Sequence, residues 1–568
     1  MSTMRFNETV SLSSPCKGEE ALRAEREAQV GVMHRKATPT RHAARADLPL
    51  AGGGTTPCVK LAMWSLAIVA ALAVGPAAAQ KSQDTLRMAS TDWWPMQDPY
   101  HFPLDEAAVY YRTVYETLIA YDERNKKFVP RLAKSWKRID NKTLEFELRE
   151  DARFSNGDKI EAEDWVYTVK YLQDPNVKFR HKTLYENIER VEALSPTTIR
   201  IVSKEALSTD IQIIAYQLYV FDSKVHRTLD NKADYGRTAP VTPGPYKVAS
   251  LDASKMVLEK NDLYYDKNAA WRAGVKRVTV QPMPERQTQI AHFMARDIEL
   301  MGYVAADTAR QLAQLPDTKV LAQHSGQIIY VTLDAMGRSD NKAMTDQRVR
   351  KAFMMAVDRN ALAKTVIPGG DIQPDIVIDS ACMPGTVACA VSTRPPAFDP
   401  AAGKKLLADS GFPDGFDLEL NVHQPMKEVG EAMAGQLRAI GIRASVRPLP
   451  IALYSRLRGE GKFTAFLGSR PTNGQPDVSD IYEFYFTGNR DYWNDPIIKQ
   501  AQKAGLVEFD EEKRVAAYQK GMDRINEMNY ILPVAELPMV WVHGKDVRLE
   551  ENPLSRFGSR LGDFFWAN

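Results

Sequence analysis

Residues 399–449 read DPAAGKKLLADSGFPDGFDLELNVHQPMKEVGEAMAGQLRAIGIRASVRPL. Asp399 is placed to cap a helix whose first position is Pro400, and Gly411 sits past its end. A strand is predicted over 417–423, then a helix over 427–440 closed by Gly441, then a strand over 442–449. Strand, helix and strand joined by short connections form a βαβ unit, whose two strands run parallel. An α/β protein follows.

The same alternation extends outward from that stretch. Asp346 caps a predicted helix whose Val349, Ala352, Phe353 and Ala356 share one face. Earlier in the chain Leu144, Phe146 and Leu148 alternate with Glu145, Glu147 and Arg149, the period of a half-buried strand. A turn at Ser155–Asp158 follows. Then Ala162, Trp165, Val166 and Val169 recur at helical spacing, with Glu161, Glu163 and Asp164 at the positive end of the helix dipole. Further strands are predicted at 85–90, 198–203, 245–250, 255–260 and 277–282. No internal repeat interrupts residues 81–568.

Composition narrows the class. The 568 residues are 44% apolar and 26% charged, ordinary for a globular chain of two to four domains. Residues 61–75, LAMWSLAIVAALAVG, form an apolar run behind Lys60, and Ala77–Ala79 follow Pro76. This is the pattern of a secretory signal peptide cleaved after Ala79; the run is short for a membrane anchor. Gln80 stands where a lipoprotein would need Cys, so no lipid anchor is expected. The long Arg- and Ala-rich stretch before Lys60 suggests that translation begins near Val59. Nine basic and six acidic residues fall in 1–80, so the remaining 488 carry 65 against 66, a net charge of −1. Nothing in that balance points to nucleic acid. Cys382 and Cys389 alone remain, flanking a Pro-Gly turn. They are expected to form a small-loop disulfide in an oxidising compartment, with free thiols or half a metal site as the alternatives.

Catalytic patterns are missing. There is no HExxH, GxSxG or GxxxxGK[ST], and His101, His181, His226, His292, His324, His423 and His543 stand apart from one another. An extracellular hydrolase would need a nucleophile or an acid–base pair that these residues do not offer. A binding role suits the chain better, without cofactor or metal.

Several blocks carry a resemblance. YETLIAYD (115–122) precedes VPRLAKSW (129–136), then come LEFELREDARFSNGDKIEAEDWVYTV (144–169), TPGPYKV (242–248) and DQRVRKAFMMAVDR (346–359). In this order and spacing, with 399–420, they resemble the family 5 solute-binding proteins of ABC transporters, the dipeptide, oligopeptide and nickel-binding group. The resemblance implies a two-lobed, type II-like Venus-flytrap fold. Residues 1–79 would be leader and 80–326 lobe I, enlarged by a subdomain near 119–235. Lobe II would span 327–540, and 541–568 would return to lobe I. The chain would cross between lobes at 327–333 and 533–542. A periplasmic, monomeric receptor would capture a peptide or peptide-like solute and dock on membrane permease subunits. The same fold could instead serve an oligosaccharide, an opine or a metal chelate.

In peptide-binding relatives an acidic residue in a lobe II loop pairs with the peptide's α-ammonium. The corresponding loop here is GSRPTNGQPD (468–477), with Thr472 in that place. A hydroxyl accepts a hydrogen bond but supplies no charge to offset a buried ammonium. The expected cleft residues are Trp93 and Trp94 for stacking, and Ser469, Arg470, Thr472 and Asn473 from this loop. The turn from Thr242 to Tyr246 completes the set. Arg470 would hold a carboxylate or phosphate, or else point to solvent or pair within lobe II. Asp477 is read as the cap of the next helix.

Overall fold

The computed structural model describes residues 83–91, 98–101, 105–122, 125–179, 182–266, 273–373, 375–471, 477–550 and 560–567. The expected leader, Trp93, Trp94, Thr472 and Asn473 lie outside these residues.

Strand β1 (Thr85–Ser90) opens the chain, and β2 (Ile119–Asp122) and β3 (Lys127–Pro130) form a hairpin. Strands β4 (Ala133–Asp140), β5 (Thr143–Leu148), β6 (Ile188–Ser195) and β7 (Thr198–Ser203) make a four-stranded sheet in the order β4-β5-β7-β6. Then follow β8 (Tyr246–Leu251), β9 (Met256–Lys260), β10 (Arg277–Pro282), β11 (Leu300–Met301) and the long β12 (Thr318–Leu333). The second half adds β13 (Phe416–His423), β14 (Ile442–Leu449), β15 (Ala465–Pro471) and the long β16 (Ile531–Gly544). A last hairpin pairs β17 (Val547–Leu549) with β18 (Phe564–Trp566).

Ten strands join in one sheet, ordered β14-β13-β15-β12-β16-β11-β1-β10-β9-β8. Strands β13 and β14 are parallel, as the βαβ reading requires. The helix between them runs Lys427–Leu437, tightens into a 3-10 turn at Arg438–Ile440, and ends at Gly441 with φ +95°. Only glycine adopts that left-handed conformation without strain.

The apolar cores divide the sheet into two lobes. Leu86, Phe146, Trp165, Leu258 and Val278 belong to one cluster, and Phe564 joins it from the far end of the chain. The four-stranded sheet thus shares lobe I's core instead of forming its own. In lobe II, Ile329, Val331 and Leu420 face one cluster, while Ile328, Tyr330, Phe466 and Tyr482 face another. Alternate residues of β12 feed opposite sides, so this sheet is covered on both faces. On β16, Val534 and Ala535 pack in lobe II whereas Met539 and Trp541 pack in lobe I. The change of core on this strand falls at about Glu536–Pro538.

A bulge explains that position. Between Gln323 and Gln327 the register of β12 against β16 shifts. Buried Glu536 fills the gap, accepting from the backbone N–H groups of Ser325 (2.9 Å) and Gly326 (3.1 Å) and pairing with His324. The carboxylate replaces ladder bonds that the bulge removes.

One alternation fails as simple burial. Glu145, expected on the solvent side of β5, is buried because β5 lies inside its sheet. It pairs with Lys137 (2.8 Å) and Arg200 (2.6 Å) from the flanking strands.

Candidate functional site

Strand directions locate the site. β1, β10 and β11 run parallel, and β11 is antiparallel to β16, so all three point their carboxyl ends toward lobe II. β15 is antiparallel to β12, and β13 and β14 run with β15, so these three point toward lobe I. The carboxyl ends of both half-sheets therefore face each other across the crossing. Ligands of open α/β sheets bind at such ends, where loops converge and backbone groups are left unpaired.

On the lobe II side β15 ends opposite the bulge, with Pro471 in register with Gln327 and Arg470 with Ile328. A small recess of about 10 Å³, the space of one water molecule, lies here, lined by Gly326, Ile328, Met383, Thr386, Arg470, Asp477, Asp480 and Ile481. Met383 and Thr386 belong to the loop closed by the Cys382–Cys389 disulfide, which forms as expected. That loop is fastened to the next helix, since the Val478 N–H donates to the Val387 carbonyl at 3.0 Å.

Arg470 is only 3% exposed and pairs with Asp480, in the first turn of the helix Val478–Phe486. Pairing within lobe II is thus the alternative that the structure realises. Its guanidinium lies 4.4 Å from the Phe484 ring centre, which Arg458 approaches at 4.4 Å and Arg490 at 5.5 Å. Three guanidinium groups thus gather round one aromatic ring, two of them ion-paired, Arg470 with Asp480 and Arg490 with Glu483 at 3.8 Å. Burial, then Arg458, pulls the Arg490 guanidinium below its ordinary value. Ser469, beside Arg470 on β15, points to the opposite face and accepts from the Gln327 side-chain amide at 3.1 Å.

Asp477 does cap its helix, accepting from the Ser479 N–H at 2.9 Å. It also lines the recess and pairs with the buried Arg514 at 2.8 Å. Burial opposes the charge on Arg514, but the adjacent carboxylate more than offsets this and holds the guanidinium above its ordinary value. Among the described residues, Asp477 Oδ2 and Arg470 Nε are buried without a hydrogen-bond partner. Each of these two lining residues thus keeps one polar atom uncommitted beside its ion pair, which makes them candidate contacts for a polar ligand.

The Thr242–Tyr246 turn is not part of this site. Tyr246 is fully buried in lobe I, where its hydroxyl donates to the Val275 carbonyl at 2.6 Å. Thr242 is equally buried; its carbonyl accepts from the Ser155 N–H at 2.9 Å and its own N–H donates to the Ser155 hydroxyl at 3.2 Å. A Cβ on Gly244 would fall 2.5 Å from the Val114 backbone. The turn pins the small sheet to the large one, and burial removes it from any cleft.

Lobe I contributes residues that no pattern announced. Thr91, just past β1, accepts from Gln289 (3.1 Å) and Arg286 (3.3 Å). Tyr303, just past β11, holds φ +54° and is 47% exposed, with its ring 6.3 Å from Trp541. An exposed aromatic in that backbone region at a strand's carboxyl end marks a candidate ligand contact. Arg514 did leave a signal. It shares the spacing of Tyr518, Gly521, Met522 and Ile525, the buried stripe of its helix.

A larger trough of about 380 Å³ is lined by residues of β1, β8, β9 and β10, away from the crossing strands. Its Arg87 and Arg277 are already paired with Glu299 and Glu259. Among the described residues no group of three or more His, Cys, Asp or Glu side chains is placed to hold a metal ion, and no helix is long and apolar enough to span a membrane.

Two lobes sharing a sheet, with facing strand ends and a recess at the crossing, define a two-lobed binding protein. Residues 127–492 match the model of the bacterial extracellular solute-binding proteins, family 5, and the chain belongs to that family. It is 26% identical over 474 residues to a nickel-binding periplasmic protein of Escherichia coli (strain K12), covering 76% of this chain and 84% of that one. It is 22% identical over 505 residues to a glutathione-binding protein of Salmonella typhi, covering 85% and 94%. A dipeptide-binding protein from Pseudoalteromonas sp. SM9913, solved with Met-Leu, superimposes with a TM-score of 0.66 at 19% identity, covering 85% and 100%. These relatives are solute-binding proteins rather than enzymes.

Proposed function

We propose that this protein is the periplasmic receptor of an ABC importer, binding a peptide or peptide-like solute between its lobes and delivering it to membrane permease subunits. The observation that carries the reading is the opposition of the two sets of strand carboxyl ends across a two-strand crossing. Such an arrangement encloses a ligand when the lobes rotate together. Export by the leader over 1–79 and action as a monomer without catalytic turnover belong to the same proposal.

On the lobe II side, Arg470 and the vacant oxygen of Asp477 favour a solute with both an acceptor and a donor, as an amide or amino-acid backbone offers. The loop 472–476 carries no acidic residue and both nearby carboxylates have arginine partners. A free ammonium therefore finds no uncommitted counter-charge in these residues. Native mass spectrometry of the protein purified from periplasm without denaturation tests the proposal. Recovery of a stoichiometric, unmodified peptide-like solute supports it. Recovery of a metal chelate, opine or oligosaccharide transfers the fold to that ligand class. Steady conversion of a bound solute overturns the receptor role.

A further inference from the structure

We infer that Arg514 is the positioning residue of a clasp between the lobes, tying the wall of the solute recess to closure. Ser208 follows β7 in lobe I, and the helices Pro496–Val507 and Glu511–Glu527 belong to lobe II. The Ser208 N–H donates to the Leu506 carbonyl at 2.8 Å, and its hydroxyl donates to the Gly505 carbonyl at 2.9 Å. Arg514 Nε in turn donates to the same hydroxyl at 2.9 Å, while a terminal nitrogen holds Asp477 at 2.8 Å.

Ser208, Gly505, Arg514 and Asp477 are all buried, and Leu506 is half-buried. Gly505 exposes bare backbone at the junction, where a Cβ would come within 2.4 Å of the Tyr518 ring. Next to it, Arg138 of β4 lies 4.7 Å from the ring centre of Phe509, between the two helices, and is oriented by Asp210. Lobe I and lobe II thus meet here through a specific set of donors and acceptors.

Opening the lobes breaks the Ser208 bonds and leaves Arg514 Nε with only its longer bond to the Gly505 carbonyl, 3.3 Å, within lobe II. A solute that engages Asp477 acts on the same guanidinium, since one planar group serves both partners. Occupancy of the recess and the position of lobe I are therefore coupled through Arg514. The inference deepens the receptor reading and rests on it, but its test needs no solute.

Spin labels at Lys204→Cys and Lys503→Cys, both exposed positions, report the separation across the clasp in the full chain carrying Cys16→Ser and Cys58→Ser. The parent should show a dominant short distance by pulsed dipolar spectroscopy. Ser208→Ala and Arg514→Gln should each raise the ratio of long to short distances roughly tenfold, the effect of losing a hydrogen bond to a charged group. Asp477→Asn keeps a good helix cap but removes the charge, and should shift the ratio in the same direction. Distributions of Ser208→Ala that overlay the parent overturn the clasp, even if Arg514→Gln shifts or fails to fold. An unmoved Asp477→Asn overturns the coupling to the recess. Neither result bears on whether a solute co-purifies, so the receptor reading stands or falls separately.

Discussion

Two buried charge networks in this protein look alike and do different work. In lobe I, Arg131 bonds Glu116, Asp266 (2.8 Å) and Tyr264, and Tyr264 donates to Glu116 at 3.0 Å. In lobe II, Arg470 and Arg514 hold Asp480 and Asp477. The first network ties YETL to VPRL inside one lobe. The second opens on a recess and reaches across to the other lobe. A signature motif can thus mark an internal brace, while the residues placed for binding sit where charge is paired but not exhausted.

The comparison breaks most visibly at Arg131. Arg131→Met leaves Glu116 buried without its cation and should cost about 3–5 kcal/mol in urea unfolding at neutral pH. Burial already raises the Glu116 carboxyl above its ordinary value, against the pull of Arg131. The loss should therefore shrink on acidification, as Glu116 becomes neutral. An unchanged unfolding midpoint would remove the brace role.

Lobe I also stores an acid-sensitive group. Burial lowers His226 to about 4, and it stacks on Phe221 with ring centres 4.5 Å apart. The folded value lies below the unfolded one, so the unfolded chain takes up a proton first as pH falls. Stability is fully present above about 6.5 and declines toward 4, by about 3 kcal/mol. His226→Phe should flatten that limb of the stability profile.

The disulfide probes the other lobe. Replacing Cys382 and Cys389 by Ser should lower stability by about 2–3 kcal/mol, the entropy of a short closed loop. The loop carries Met383 and Thr386 on the recess wall, so solute affinity should fall in the same variant. A stability loss with intact affinity would separate the loop from the site.

The smallest expected effect is the most discriminating. Arg470→Ala should weaken binding of an acidic solute at least about tenfold in calorimetry, and Asp480→Asn, which frees the guanidinium, should strengthen it. Unchanged affinities in both would leave Arg470 as packing alone.

Much of the fold was legible because periodicity and caps act locally. Strands 198–203, 277–282 and 442–449 match the expected bounds, as do the caps at Asp346 and Asp399. The site was less legible because its decisive pairings are distant in sequence. Nothing local to Thr242 or Tyr246 separates a buried turn from a cleft wall. The partner of Asp477 lies 37 residues on, and that of Ser208 lies 306 residues on. Glu536 was read only as part of a strand, because a bulge depends on the register of two strands.

The crossing itself carries a mechanical consequence. β12 and β16 are bonded to each other along most of their lengths, so the lobes are joined by a ribbon and not by two independent tethers. A hydrogen-bonded ribbon bends readily across its flat face and resists shear in its plane. At the bulge, Glu536 stands in for the missing rungs, so bending has a defined line. Domain motion in this protein therefore has one soft coordinate, and thermal energy explores an arc, with few wasted orientations.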